Sequence, residues 1–366
     1  MTSPLLHLAT PAHWRACLDA GVIAPTVAEF LHLSTPGQVA LPAGRLYAGR
    51  QDMLLLALDP DRIGVEVRWE AGLPTDPPEL RFPHAYGSVP TSAVLAVLPY
   101  RPRPDGGFDA PLLPVLDAAA RQAVFEPSYV RRAASAEIPV TGGVAVRTER
   151  VPASHKHNSL MIDGETDAPT VAADADHALA GLAHHQVTLL GDHHAGTAAA
   201  LGTTGWQVQP LVGMAGPAGG TRGPAEVVDV ATLRPVWDAE WRRHLPDVDA
   251  DTIAQLTDRL LAEEQVIDLR PLAIVLDGVV VASAVLRIDG ATAELDGVET
   301  VPEHRGHGYG ELLLADARAV AAEAGCDLVT VIAAADARPR HWYSRRGFTE
   351  VNRLWSVGRQ GIMARG

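Results

Sequence analysis

The densest run of chemistry-bearing residues is Val301-Pro302-Glu303-His304-Arg305-Gly306-His307-Gly308-Tyr309-Gly310, between an apolar strand and an alanine-rich helix. Its glycines let the backbone approach a ligand closely. The amides converging at the start of the following helix, with the positive end of its dipole, suit a pyrophosphate. Upstream, Glu294, Asp296 and Glu299 offer carboxylates that can take a proton from an ammonium group. Strict alternation puts the first two on one strand face and Glu299 on the other, unless a bulge changes the parity. Downstream, Tyr343-Ser344-Arg345-Arg346-Gly347-Phe348 supplies a phenol that can return a proton.

Two other groups stand apart. His7, His32, Ser34, Glu70, His84 and Tyr86 are polar residues at the ends of apolar runs, and could converge in a cleft or merely cap strands. His155 with His157, His184 with His185 and His193 with His194 invite a metal reading. Adjacent strand residues point to opposite faces, and no acidic or cysteine partner stands at a diagnostic spacing, so no metal centre is expected.

The elements that must position these groups are legible in outline. Proline and glycine seams at Pro99–Gly107 and Gly216–Pro224 divide the chain. They predict a first domain over 1–103, a linker over 104–122, a second domain over 123–217, a short flexible linker over 218–224 and a third domain over 225–366. In the last, helices over Thr232–Arg243 and Asp251–Glu264 precede strands at Leu272–Leu276, Val279–Ile288 and Ala291–Val298. Asp277-Gly278 and Asp289-Gly290 between those strands are hairpin-turn dipeptides. A helix over Gly310–Gly325, a strand over Asp327–Ala333 and a helix opening at Pro339 complete it.

The spacing Arg305-x-x-Gly308-x-Gly310 after such a meander, followed by helix, strand and the Tyr343–Phe348 segment, resembles the GNAT N-acetyltransferase superfamily. That resemblance implies an acetyl-CoA cosubstrate, with Arg305, Gly306, His307, Gly308, Tyr309 and Gly310 around the pyrophosphate. Val298, Thr300 and Val301 would form the strand edge along the cofactor. Tyr343 would be the general acid and Glu299 the base. Asp336 stands where the family often has an asparagine, which puts the contacts there in doubt. The middle stretch, with strands at Val187–Leu190 and Val208–Met214 around Gly205-Trp206, resembles the closing half of a second GNAT-like unit. It carries Ala153–Asn158 where the phosphate loop is expected, and reads as a degenerate copy. The first hundred residues, with His32-Leu33-Ser34 and Phe82-Pro83-His84-Ala85-Tyr86-Gly87, resemble domain of unknown function family 952, whose fold is grouped with ADP-ribosyltransferases.

The fold class expected is therefore multidomain α+β and α/β: a small ADP-ribosylation-like α+β domain, then tandem GNAT-like domains with mixed central sheets. A net charge of −14 argues against nucleic acid and for a cationic amine, of a small molecule or a peptide. With only Cys17 and Cys326 no disulfide framework can form, which points to a reducing cytoplasm. No membrane partner is expected; a homodimer is left open. The leading expectation is acetyl-CoA-dependent N-acetyl transfer by direct attack in a ternary complex. The alternatives are a non-catalytic acyl-CoA-binding regulator, and an NAD or ADP-ribose activity of the first domain centred on Glu70.

Overall fold

The computed structural model describes residues 3–26 and 29–360. The first unit contains β1 (Leu5–Ala9), α1 (Pro11–Ala20), β2 (Val22–Ile23), β3 (Leu31–His32), α2 (Ala40–Tyr47), β4 (Met53–Leu58), β5 (Val67–Ala71), β6 (Arg81–Ala85), β7 (Val89–Pro90) and β8 (Val94–Tyr100). Its strands pair as β1-β4-β8, β2-β7 and β3-β6-β5. β4 is a run of six buried apolar residues because it is the central strand of its sheet. The expected seam begins too early: Pro99 lies inside β8, where it is tolerated because β8 is an edge strand. The segment after it is also partly core, since Phe108 and Leu116 pack with Tyr100 and Leu55.

The middle unit runs α3 (Ala118–Ala133), β9 (Ala136–Val140), β10 (Gly143–Arg147), β11 (Ser159–Ile162), α4 (Ala168–Ala178), β12 (His184–Leu190), α5 (Ala195–Thr203) and β13 (Gln207–Pro217). The third runs β14 (Glu226–Val227), α6 (Val230–His244), α7 (Ala250–Glu263), β15 (Asp268–Leu276), β16 (Val279–Asp289), β17 (Thr292–Thr300), α8 (Tyr309–Glu323), β18 (Leu328–Ala334), α9 (Arg338–Ser344) and β19 (Thr349–Gln360). Both units have the same pairing. Three strands form an antiparallel meander, and the third of them pairs in parallel with a fourth: β9-β10-β11 with β12, and β15-β16-β17 with β18.

The last strands are exchanged. β13 pairs with β18 of the third unit, β19 pairs with β12 of the middle unit, and β13 and β19 pair with each other. One mixed sheet of eleven strands results, in the order β14-β15-β16-β17-β18-β13-β19-β12-β11-β10-β9. The segment expected as a flexible linker over 218–224 is pinned. The wholly buried carboxylate of Asp316 accepts the Gly223 amide and, at 2.9 Å, that of Ala225.

The first unit docks on the hairpin between β16 and β17. Asp277-Gly278 forms the left-handed pair expected of a tight hairpin turn (φ 49° and 80°). At Asp289-Gly290 only the glycine is left-handed (φ 70°), because Asp289 is still the last residue of β16, paired with Thr292, and the turn residues are Gly290 and Ala291; Asp289 is buried. It accepts a 2.7 Å hydrogen bond from Trp14 Nε1 and pairs with Arg132. A Cβ at Gly290 would strike the Val94 carbonyl, so glycine is what allows β8 to approach. From α3 of the middle unit, Arg121 holds the same hairpin through the Ala291 carbonyl (2.7 Å) and Thr292 (2.9 Å), and reaches Asp327 (2.6 Å).

Burial drives His7 and His184 down to about 4, in each case before any neighbouring charge. In the unfolded chain both titrate near 6.5. The native protein therefore holds them neutral while the unfolded chain takes up protons below 6.5. Their contribution is complete above about pH 6.5 and is lost as the pH falls toward 4, by up to about 3 kcal/mol for His7. Urea unfolding at pH 7.5, 5.5 and 4.5 should show this loss, and a His7→Gln variant should lose less over the same interval.

Candidate active site

β17 and β18 pair from Thr292↔Leu328 to Glu294↔Thr330 and then part, opening a cleft along the β17 edge from Asp296 onward. On the other side of β17 the register slips. Asp296 faces Val285 and Glu299 faces Ser283, so β17 carries one extra residue, with Gly297 left-handed (φ 60°). This is a β-bulge, and it cancels the alternation that separated Glu299 from Glu294 and Asp296. Asp296 and Glu299 both act on the phenol of Tyr343, which is buried between Trp342 and Phe348. Burial first, and then those two carboxylates, push its pKa well above the ordinary value. Tyr343 is thus held as a protonated donor.

A residue that sequence reasoning missed joins Glu299. Glu240 on α6 is pushed up to about 7, first by burial and then by the charge of Glu299, with which it shares a hydrogen bond. A carboxyl group poised near neutrality beside a second carboxylate is a base matched to physiological pH. Arg305 is turned back toward them: its Nε donates to the Thr300 carbonyl (3.1 Å) and its Nη2 lies 3.7 Å from Glu299. Val298, Thr300 and Val301 lie on or just after the β17 edge, half-buried.

Beyond Arg305 the chain passes through two left-handed glycines, Gly306 (φ 86°) and Gly308 (φ 82°), into α8. Gly308 is the N-cap and supplies no side chain to the helix end. Among the described residues the amides of Gly306, His307, Gly308, Tyr309 and Gly310 donate to no backbone carbonyl. Open amides at the positive end of a fifteen-residue helix make an anion cradle. His307 stacks on Tyr309 beside it, while Asp336 lies exposed in the turn before α9.

The middle unit shows the contrast. Its phosphate-loop position is not Ala153–Asn158, which lies between β10 and β11, but the turn from β11 into α4, Asp163-Gly164-Glu165-Thr166-Asp167. There Asp167 caps α4 by accepting the Thr170 amide (2.9 Å). An acidic turn with an occupied cap repels a phosphate.

Ala153–Asn158 instead reaches into the cleft. Lys156, the chain's only lysine, places Nζ 2.5 Å from Glu126, 3.9 Å from Asp296 and within 3.1 Å of the Tyr129 hydroxyl, to which it donates. Tyr129 in turn donates to Glu294 (3.1 Å). Beneath them lies Arg287, with no exposed surface, 2.6 Å from Glu263, 3.2 Å from Asp296 and 3.4 Å from Glu294. His157, also enclosed, stands 3.3 Å from Glu263. Burial pushes Asp296 up, but Lys156, then Arg287 and Arg259, outweigh it and keep it ionised. Burial likewise opposes the charge of Lys156, and Glu126 and Asp296 overcome it. Beside this network lies a cavity of about 350 Å³ lined by Glu126, Lys156, Arg259 and Asp296 together with the apolar Leu211, Ile332 and Leu354.

The candidate residues of the first unit also come together. Glu70 accepts from the Tyr86 hydroxyl (2.8 Å) and stands 3.1 Å from His84 Nδ1. His84 lies edge-on to His32 and stacks on Phe30, a ring that sequence reasoning had not included. His7 Nδ1 bonds the His32 carbonyl (2.9 Å), and Ser34 is tied to Leu6 through the backbone only.

Residues 231–348 match the family model of the acetyltransferase (GNAT) family, and residues 8–97 that of a protein of unknown function, DUF952. The C-terminal stretch is a GNAT acetyltransferase domain. A functionally unknown conserved protein from Staphylococcus epidermidis shares the fold over 62% of this chain and 94% of its own, with 15% identity and a TM-score of 0.51. A GCN5-related N-acetyltransferase from Kribbella flavida aligns over 68% of this chain and 97% of its own (19% identity, TM-score 0.47). Protein CC0527 from Caulobacter crescentus aligns over 29% of this chain and 93% of its own (24% identity, TM-score 0.26). No curated protein matches the chain. Among the described residues no helix is long and apolar enough to cross a membrane.

Arg287 is the cation common to Glu263, Glu294 and Asp296, so Arg287→Met strands buried carboxylates. The expected cost is about 3–5 kcal/mol in equilibrium urea unfolding. Adding Glu263→Leu should recover part of it, because the most buried of the orphaned charges is then gone.

Proposed function

We propose that the protein is an acetyl-CoA-dependent N-acetyltransferase acting on a primary amine of a small molecule or peptide. One observation carries the reading: an uncapped helix N-terminus behind two left-handed glycines opens beside a strand splay. In that splay Glu240, held near neutrality beside Glu299, and a buried phenol face the same space. The residues present suit acetyl-CoA: the Gly306–Gly310 amides fit its pyrophosphate and the unpaired β17 edge fits its extended pantetheine arm.

Bound acetyl-CoA supplies the activated acyl group. The Glu240–Glu299 pair takes the ammonium proton, leaving the amine lone pair free to attack the carbonyl carbon. Backbone amides at the bulge polarise the carbonyl oxygen. As the carbon–nitrogen bond forms and the carbon–sulfur bond breaks, Tyr343 gives its proton to the departing thiolate, and the second proton that the nitrogen sheds in becoming the amide restores the phenol. The middle unit, with Asp167 closing its own helix end, acts as the far wall of the acceptor cleft through Lys156 and the exchanged strands.

Calorimetric titration of acetyl-CoA should give micromolar binding that Gly308→Glu abolishes, since the variant strains a left-handed position and puts a carboxylate where phosphate should sit. Absence of binding to the wild type would remove the reading. Tyr343→Phe should keep that affinity and lose turnover by about 100-fold or more. Binding without turnover across a broad amine panel would favour an acyl-CoA sensor.

The base must be deprotonated, so kcat/KM should rise with pH through about 7. Glu240→Gln removes the carboxyl group that titrates there, so the rise through about 7 should disappear as turnover falls. An unaltered profile would take Glu240 out of the proton path.

A further inference from the structure

We propose that the acceptor is an amine that also carries a carboxylate, a free amino acid or an amino-carboxylic acid of similar size. Arg259 holds the carboxylate and the amine is turned toward Asp296 and Glu299. The inference rests on the acetyl-transfer reading above and names its substrate class.

The argument is a charge census of the cavity. Arg287 is enclosed by Glu263, Glu294 and Asp296, and Lys156 is held by Glu126 and Tyr129. Arg259, on the same wall, has no carboxylate within bonding distance and makes no hydrogen bond among the described residues. Its Nε is buried without a partner, and its recorded contact is with the Trp241 ring, 5.5 Å from the guanidinium carbon. A half-buried guanidinium with no carboxylate on it is free to take one, and its planar fork matches a carboxylate.

The neighbours of Arg259 on α7 are already committed. Gln255, one turn before it, accepts the Ala153 amide (2.9 Å) and so fixes the loop that carries Lys156. Glu263, one turn after it, holds Arg287. The face between them presents one unused charge to the cavity. Opposite in sign is Asp296, half open to the cleft, with Glu299 beyond the bulge. A cavity with one unsatisfied cation and a carboxylate pole is complementary to a zwitterion. A doubly charged phosphate would be repelled by Glu126, Glu294 and Asp296 on the same walls. The apolar side formed by Leu211, Ile332 and Leu354 receives the body of the acceptor. A larger cavity of about 690 Å³ shares His155, Gln186 and Ser356 with this one, leaving room for a longer side chain.

The test compares acid and amine partners of matched shape on the full chain: lysine with cadaverine, leucine with 3-methylbutylamine, phenylalanine with phenethylamine. Turnover is read as CoA released from acetyl-CoA. In the wild type kcat/KM should favour the acid by on the order of 100-fold in at least one pair. Arg259→Gln should bring that ratio close to one, and Arg259→Lys should restore part of it. Retained acetyl-CoA affinity in both variants shows that they are folded. Turnover without preference for the acid, or a preference that survives Arg259→Gln, overturns the assignment and leaves acetyl transfer standing. Acetyl-CoA binding with no turnover of any panel member overturns both. Loss of acetyl-CoA binding by the wild type overturns the earlier reading at its first step.

Discussion

Arg287 sets the terms for the centre of this molecule. A guanidinium with no exposed surface, near the end of β16, costs several kcal/mol unless anions surround it. The anions come from different parts of the chain: Glu263 from α7, Glu294 and Asp296 from β17. The Tyr129 ring from α3 covers it, and Lys156 from the β10–β11 loop offsets the excess negative charge. Meeting the needs of one cation thus fastens both GNAT-like halves around the same point. It also grades the acids of the cleft. Asp296 stays ionised beside its cations, while Glu240 on α6, set against Glu299 one bulge further along, is poised near neutrality.

The exchanged strands give that point its shape. Because β13 lies between β18 and β19, the surface beyond the β17–β18 splay belongs to both halves. Leu211 comes from one, Leu354 from the other. Neither half would retain the cavity alone, since each fourth strand is completed by the other half's last strand. The first unit adds to this from outside. Trp14 of the first unit and Arg132 of the middle unit both bind Asp289, at the end of the strand that contains Arg287, so docking of the first unit bears on that end of β16.

What could be read from the sequence was what short spacing encodes. The glycine turn, the Tyr343 segment and the meander are local patterns, and they fall within a few residues of their expected places. The exchange was hidden because strand order is a long-range property, and β13 and β19 are ordinary strands in isolation. Glu240 was hidden because only the packing of α6 on β15 and β16 brings it to Glu299. The bulge had one local trace, Gly297, a glycine inside a strand. The middle unit's turn was misplaced because β11 is four residues long and fully buried, so the polar run before it drew attention from the acidic run after it. Composition suggested a free linker at 218–224, and one buried carboxylate, Asp316, overrides it.

The two equivalent helix starts explain why a unit without a phosphate cradle is still retained. At α8 the cap is a left-handed glycine and the amides are open; at α4 it is Asp167, whose side chain closes the first turn. An aspartate cap stabilises its helix by about 1 kcal/mol and forgoes an anion. A glycine cap gives up that stability to keep the anion site. Only one half needs the second choice if only one acyl donor enters the cleft. The other half is free to take the more stable cap while still supplying β12, β13 and the Lys156 loop. Those parts cannot be dispensed with, because Lys156 lies against Asp296 and β13 completes the sheet beside β18. The sequence of the middle unit is therefore constrained by the third unit's cleft rather than by any phosphate of its own.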